Sequence, residues 1–122
     1  MASTSSEVDE VLRAWCTDNP QVIGYVVMNS DGIPVKYHEK LPYDKAVQYA
    51  ALLSDFCTSS RKCLKELLPY VENDLNAVRI RTKERTEIIV VSAMDYVLIV
   101  VQNCSGKPIN YDEGEAAKPA EA

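Results

Sequence analysis

The residues whose types could support chemistry are four cysteines and a single histidine, and their spacing forms no reactive or metal-binding motif. Cys16, Cys57, Cys63 and Cys104 include no C-x-x-C pair, and His38 is the only histidine. A structural zinc site therefore lacks both ligands and spacing. A nucleophilic cysteine would need His38 beside it, and no activating motif accompanies any of the four. We predict buried structural thiols, with no metal and no cofactor.

Two arginines, Arg79 and Arg81, are the other candidates for chemistry. An arginine finger stabilises charge in phosphoryl transfer, but arginines that alternate along a strand more often form a solvated face. The chain has no G-x-x-x-x-G-K-[ST] loop, so it is not itself predicted to be a GTPase. Because no acid, base and nucleophile cluster together, we predict a protein that is not an enzyme.

Composition predicts a single soluble domain. The chain has 122 residues, of which 47% are hydrophobic, with a net charge of -5 and a pI near 4.8. Its basic residues are scattered, which argues against nucleic acid or an anionic membrane as a partner. The apolar runs reach about half of the ~20 residues that cross a bilayer, and the polar, acidic N-terminus does not resemble a signal peptide.

The stretch from Asn73 to Asn103 predicts three consecutive β-strands. Residues Ala77 to Lys83 alternate apolar and basic side chains, which is typical of a strand with one buried face. Glu87 to Val91 and Tyr96 to Val101 are almost continuously apolar. Strands of that kind are expected to be covered on both faces, which requires helices on both sides of the sheet.

The first half of the chain predicts a helix, a hairpin and a second, longer helix. The first helix begins with Ser6 as its N-cap and ends before Asn19-Pro20. The hairpin joins Val22 to Met28 with Ile33 to His38, and the second helix runs from Tyr43 to about Leu68.

The ends of the chain are predicted to lie outside the folded domain. Residues 1–5 are small and polar, and residues 105–122 form an acidic segment poor in large apolar groups. Both are expected to be disordered, which leaves a domain of residues 6–104.

The predicted fold class is α+β, with a single five-stranded antiparallel sheet in the order 2-1-5-4-3 and helices on both faces. The two most apolar strands belong in the middle, and Pro34 places its strand at one edge. The strand from Ala77 to Lys83 is then left at the other edge. There, Arg79, Arg81 and Lys83 either guard the edge or leave it free to pair with another chain.

Two features together predict a symmetric dimer with a ten-stranded sheet. One is the edge without proline, and the other is the second helix, which at ~1.5 Å per residue overhangs a strand of eight residues by roughly two turns. The predicted dimer interface comprises Tyr49, Leu52, Leu53, Phe56, Val78, Arg79, Ile80 and Arg81.

Four segments, in order and at matching spacing, resemble the Roadblock-type dynein light chains, whose domain is of the roadblock/longin type. They are VMNSDGIP from Val27 to Pro34, QYAAL from Gln48 to Leu52, NDL at Asn73 with VRIRTK from Val78 to Lys83, and DYVLIVVQN from Asp95 to Asn103. Each segment alone is weak evidence. Together they span about Val8 to Asn103 and form a specific set.

The resemblance implies a non-catalytic subunit that forms a homodimer, or a heterodimer with a sister light chain, and binds the dynein intermediate chain. It further implies a location in the cytoplasm and on the cytoskeleton, or in the axoneme of a cilium or flagellum. The chain departs from the family pattern in its longer Tyr37 to Val47 connection, in Trp15-Cys16 and in its acidic C-terminal segment. The alternative, from fold analogy, is a scaffold or regulator of a small GTPase.

The partner-binding residues are predicted to lie on the first helix. Val8, Val11, Leu12 and Trp15 follow at i, i+3, i+4 and i+7 and form one apolar stripe. Val11 and Leu12 are expected in the chain's own core. Trp15 is assigned to the rim of a groove between the two first helices of the dimer, because tryptophan is rarely fully buried and is enriched in interface hot spots.

Overall fold

The computed structural model describes residues 2–106, with side chains from residue 7 onward. It has the element order α-β-β-α-β-β-β. The elements are α1 (Ala2–Asp18), β1 (Val22–Asn29), β2 (Pro34–Tyr37), α2 (Tyr43–Leu67), β3 (Ala77–Arg81), β4 (Thr86–Ala93) and β5 (Tyr96–Asn103). The predicted tail from residue 107 to residue 122 lies outside the described residues.

The five strands form one antiparallel sheet in the order β2-β1-β5-β4-β3, which confirms the predicted topology. Pro34 begins the edge strand β2, where a missing N–H disturbs no inner ladder. Asn29, the last residue of β1, closes the β1–β2 turn. Its Oδ1 accepts hydrogen bonds from the backbone N–H groups of Asp31 and Ile33. Gly32 provides the positive φ of 79° that this turn requires.

The two helices lie on opposite faces of the sheet. Val26 and Met28 of β1 pack with Ala50 of α2 in the main core. Because successive side chains of a strand point to opposite faces, Val27 of β1 lies on the other face, where it pairs with Lys36 of β2. The Nζ of Lys36 donates to the Asp9 carboxylate of α1 at 2.9 Å, so α1 covers the face opposite α2.

The core is built where α2 crosses the central strands. The residues of α2 that are buried there recur at helical spacing and are Ala46, Ala50, Leu53 and Cys57. They meet Val26, Val90 and Ile99 from three adjacent strands. No residue after Cys57 in α2 is buried, and Leu67 is 69% exposed, so the C-terminal part of the helix extends beyond the core as predicted.

Two sequence predictions about the fold need correction. The first helix begins at Ala2 and not after a cap at Ser6. Neither Gly nor Pro interrupts this segment, so nothing in it ends the helix at Ser6. β4 was expected to be covered on both faces. Val90 is buried, but Ile89 and Val91 on the other face are only half-buried.

Candidate interaction surfaces

The cysteines and the histidine occupy separate places in the fold. Cys57 is buried under α2, Cys63 is exposed, and Cys16 and Cys104 are half-buried, so the buried-thiol prediction is correct only for Cys57. The four described cysteines are free. Burial raises the pKa of the Cys16 and Cys57 thiols, which disfavours the reactive thiolate.

His38 has a structural environment. Its ring contacts Tyr25 edge-on at a centroid distance of 5.5 Å, and its Nδ1 accepts from the Lys40 backbone N–H at 3.0 Å. Burial lowers the pKa of His38, so the ring is neutral at pH 7. Within residues 2–106, no three His, Cys, Asp or Glu side chains are grouped to hold a metal ion.

The first candidate surface is the open edge of β3, and the hydrogen-bond pattern determines which residues it presents. Thr82 N–H donates to Thr86 C=O at 2.8 Å, and Ser92 N–H donates to Asn76 C=O at 2.9 Å. Bonded and non-bonded pairs alternate in an antiparallel ladder, so the even-numbered residues of β3 bond to β4. The backbone groups of Ala77, Arg79 and Arg81 consequently point out from the edge.

The second candidate surface is an apolar stripe along the outer side of α2. Leu52 is 61% exposed and Phe56 is 44% exposed, and Tyr49 beside them is half-buried. The predicted interface residue Leu53 is not on this stripe. It points into the core of its own chain with 7% exposure, which removes it from the predicted set.

The sheet beside this stripe is also incompletely covered. The predicted interface residues Val78 and Ile80 of β3 share a face with Val90 and Ile88 of β4, and that face is the one α2 packs on. Val78, Ile80 and Ile88 are all half-buried, although β-branched side chains in a strand favour full cover. Tyr49 of the stripe and Val78, Ile80 and Ile88 of the sheet all pack against the same core cluster.

A charged cluster lies on the opposite face of the same two strands. The Arg79 guanidinium donates to both carboxylate oxygens of Glu87, at 3.2 Å from Nε and 2.9 Å from Nη2, and Arg81 lies 3.8 Å from that carboxylate. Glu87 is 4% exposed, and the Arg79 hydrogen bonds hold its pKa below the usual range. Sequence reasoning missed Glu87, whose position across from Arg81 follows from the β3–β4 register of the folded sheet.

Only two of the four predicted partner-binding residues of α1 are exposed. Val8 is 39% exposed and Val11 is 67% exposed, so the expectation that Val11 lies in the core is wrong. Leu12 and Trp15 are half-buried. The helix is rotated relative to the predicted stripe: Asp9 lies on the sheet side, where its carboxylate pairs with Lys36.

Between α1 and the sheet runs a cleft of about 780 Å³. Asp9, Arg13 and Cys16 line it from α1, and Tyr25 and His38 line it from β1 and the end of β2. Burial, with smaller contributions from Cys16 and Asp9, raises the pKa of Tyr25. The walls of the cleft combine polar groups and aromatic rings, and the cleft runs along α1, the predicted partner-binding helix.

Residues 2–106 therefore form a small α+β domain with five antiparallel strands and one helix on each face, and within these residues no strand pairs with the outer edge of β3. A family model described as the Roadblock/LC7 domain matches residues 8–103. The chain belongs to the Roadblock/LC7 domain family, which confirms the resemblance seen in the sequence. None of the helices in the described residues is long and apolar enough to cross a membrane.

Similar solved structures share this fold at low sequence identity. One Roadblock/LC7 domain from Streptomyces avermitilis superposes with a TM-score of 0.59 at 22% identity over 69% of this chain and 68% of its own. Another from that organism has a TM-score of 0.57 at 20% identity over 93% and 91% of the two chains. A structure of MglB in a tetrameric arrangement has a TM-score of 0.66 at 14% identity over 94% and 82%.

Proposed function

We propose that this chain is a non-catalytic dynein light chain that dimerises, or pairs with a sister roadblock light chain, and binds the dynein intermediate chain. Through that binding it stabilises motor assembly and cargo attachment in the cytoplasm, on the cytoskeleton or in an axoneme. The observation that carries the proposal is that the same domain has an open β3 edge and an exposed apolar stripe on α2. Two copies of such a surface are self-complementary around a two-fold axis.

The mechanism is geometric. Pairing of two β3 edges would continue the sheet, and Leu52 and Phe56 of each α2 would be covered by the second chain. A dimer then presents every binding surface twice, and two linked intermediate-chain segments bind it with a high effective concentration for the second contact. Membership of the Roadblock/LC7 family supports the assembly, and the resemblance of the four sequence segments supports the dynein partner.

Dimerisation is tested with a matched pair of charge insertions on α2. Leu52→Glu places a carboxylate on the apolar stripe, while Ala51→Glu makes the same change at an exposed neighbouring position. Sedimentation velocity is expected to give a monomer for Leu52→Glu and a dimer for Ala51→Glu and the wild-type chain. A wild-type monomer, alone and with a sister light chain, contradicts the proposal.

The dynein partner is tested at α1. In the dimer, Trp15→Ala is expected to weaken binding of an intermediate-chain peptide by about 2 kcal/mol, the scale of a hot-spot truncation. Calorimetric titration measures this loss of binding free energy. The variants Val8→Ala and Val11→Ala test whether the other residues of the stripe also contribute to binding. Unchanged affinity in all three variants would move the site away from α1.

A second candidate function is a roadblock-type scaffold or regulator of a small GTPase. The fold supports it, because Roadblock/LC7 domains from Streptomyces avermitilis and MglB share the architecture of this chain, and one fold serves several functions. Affinity purification from native extract followed by mass spectrometry separates the two candidates. Dynein heavy chains with intermediate chain support the first, and a GTPase complex without them supports the second.

A further inference from the structure

The Arg79–Glu87–Arg81 cluster combines a fixed geometry with unused donors. The bidentate contact to Glu87 occupies Nε and one Nη2 proton of Arg79 and holds the guanidinium plane in place. The remaining donors face outward, and 65% of the Arg79 side chain and 55% of the Arg81 side chain are exposed. One carboxylate shared by two guanidinium groups leaves one positive charge uncompensated.

The surroundings of the cluster extend this positive charge. Within residues 79–87 there are four basic and two acidic side chains, a net charge of +2, although the whole chain carries -5. Beside the arginines on the same face, Ile89 and Val91 are half-buried, since α1 covers the side of the sheet near β2. A basic rim beside a partly open apolar floor suits a peptide that carries both carboxylates and apolar groups.

The proposed β3 pairing doubles the cluster. Residues directly opposite each other in an antiparallel pair point to the same face. In the register that sets Ile80 opposite the Ile80 of the second chain, Arg79 and Arg81 would lie about 5 Å across the seam from the Arg81 and Arg79 of that chain. Like charges in that position destabilise a sheet. The pairing is therefore expected to be strengthened by an anion placed over the seam.

We propose that Arg79 and Arg81 of two paired chains form a binding site for a carboxylate-rich peptide segment of a partner protein. The inference rests on the proposed dimer. Guanidinium groups match carboxylates bidentately, and Glu87 already demonstrates this geometry within the chain. One peptide binds per dimer, across the two-fold axis, and its binding strengthens the dimer by linkage.

The test uses the full chain and a labelled oligoglutamate peptide of about ten residues, long enough to cross the seam. Fluorescence anisotropy is expected to give one peptide per dimer. Arg81→Gln is expected to weaken binding about tenfold or more, the scale of one charge-assisted hydrogen bond. The matched control Lys83→Gln removes the same charge two residues further on, in the β3–β4 turn, and is expected to change affinity by less than about threefold.

Five outcomes of these measurements overturn the proposal, each in a different way. Equal weakening by Arg81→Gln and Lys83→Gln indicates a diffuse field and no defined site. A wild-type dimer by sedimentation that does not bind the peptide removes this site but leaves the proposed assembly, whereas a monomer overturns both. Equally tight binding of a single-stranded DNA of the same length indicates a general polyanion surface. Truncation after Ser105 that raises affinity about tenfold or more assigns the site to the chain's own Asp112–Glu115 segment.

Circular dichroism establishes that Arg81→Gln is folded, and Arg81→Lys provides a second variant that retains the charge. Because lysine lacks the planar fork, Arg81→Lys is expected to bind the peptide more weakly than the wild-type chain and more tightly than Arg81→Gln. Wild-type affinity in Arg81→Lys would exclude bidentate recognition and overturn the site as proposed.

Discussion

Glu87 is a carboxylate that the fold buries on β4, and its ionisation is linked to stability. The Arg79 hydrogen bonds lower its pKa, and Arg79 and Arg81 add favourable charge while burial opposes them. A lowered folded-state pKa means that the stabilisation is complete above the unfolded glutamate pKa of about 4.3. It is lost as the pH falls through the lowered value.

We expect Glu87→Gln to be less stable than the wild-type chain at pH 7, with a difference that shrinks below about pH 4.3 as the wild-type carboxylate is protonated. Urea denaturation midpoints at a series of pH values measure this difference. The control is Glu66→Gln on the exposed side of α2, which removes the same charge. A difference between wild type and Glu87→Gln that is constant from pH 7 to pH 3 would contradict the linkage.

Met94 is a second residue whose surroundings are unusual. It is fully exposed, at 102%, and has a positive φ of 57° at the first position of the two-residue β4–β5 turn. Turns of this length favour Gly, Asn or Asp there, because other side chains are strained at positive φ. An apolar side chain is therefore held in a strained conformation with no cover from the described chain.

We expect Met94→Gly to be more stable than Met94→Ala by about 1 kcal/mol, because only glycine removes the steric cost of positive φ. Both variants remove the same exposed side chain, so their difference isolates the backbone. Thermal unfolding of the two variants measures it. Equal melting temperatures would show that the turn relaxes around alanine without strain.

At the scale of elements, the order of the strands could be predicted because single residues limit where each strand lies. Pro34 excludes its strand from the interior, and the apolar run around Ile99 requires neighbours on both sides. The rotation of α1 could not be predicted in this way. Its evidence is the Asp9–Lys36 ion pair, which joins residues whose proximity only the tertiary fold establishes.

The candidate surfaces were predicted less completely than the fold. Helical spacing placed Leu52, Leu53 and Phe56 in one predicted set, yet Leu53 lies on the buried side. An amphipathic helix with two apolar sides does not reveal which side meets its own sheet. The burial of Glu87 likewise depends on its register with Arg79 and Arg81, which periodicity within β4 alone does not contain.

The two sides of β3 give a prediction at the scale of the strand. The Ile80 N–H bonds to β4, so Ile80→Pro removes an internal ladder bond and is expected to cost about 1 to 3 kcal/mol, the scale of leaving the partner group in β4 unpaired. The Ala77 N–H points out from the edge, where proline is tolerated. Ala77→Pro is therefore expected to leave the monomer folded and to weaken the proposed dimer about tenfold, the scale of one lost hydrogen bond.

Circular dichroism and sedimentation equilibrium of Ala77→Pro and Ile80→Pro test this assignment. A folded Ala77→Pro chain with weakened association supports β3 pairing. If Ala77→Pro associates as tightly as the wild-type chain, the second chain does not bond to this edge, and the exposed α2 stripe alone would have to account for any dimer.

At the scale of the whole molecule, folding and assembly are expected to be coupled. Leu52 and Phe56 are exposed in the single chain, and the half-buried Val78, Ile80 and Ile88 lie beside the open edge. A second chain that covers these groups stabilises the folded state and not the unfolded state. Any partner that binds the folded state and not the unfolded state raises apparent stability by mass action.

The melting temperature of the wild-type chain is therefore expected to rise with protein concentration, as it does for proteins that unfold from a dimer. Leu52→Glu, which is designed to be monomeric, is expected to melt at the same temperature at every concentration, and Ala51→Glu is expected to follow the wild-type chain. Scanning calorimetry over about a hundredfold range of concentration makes the comparison, since the linkage grows logarithmically with concentration. A wild-type melting temperature independent of concentration would separate folding from association, and the two open surfaces of β3 and α2 would then have to be covered by a different protein.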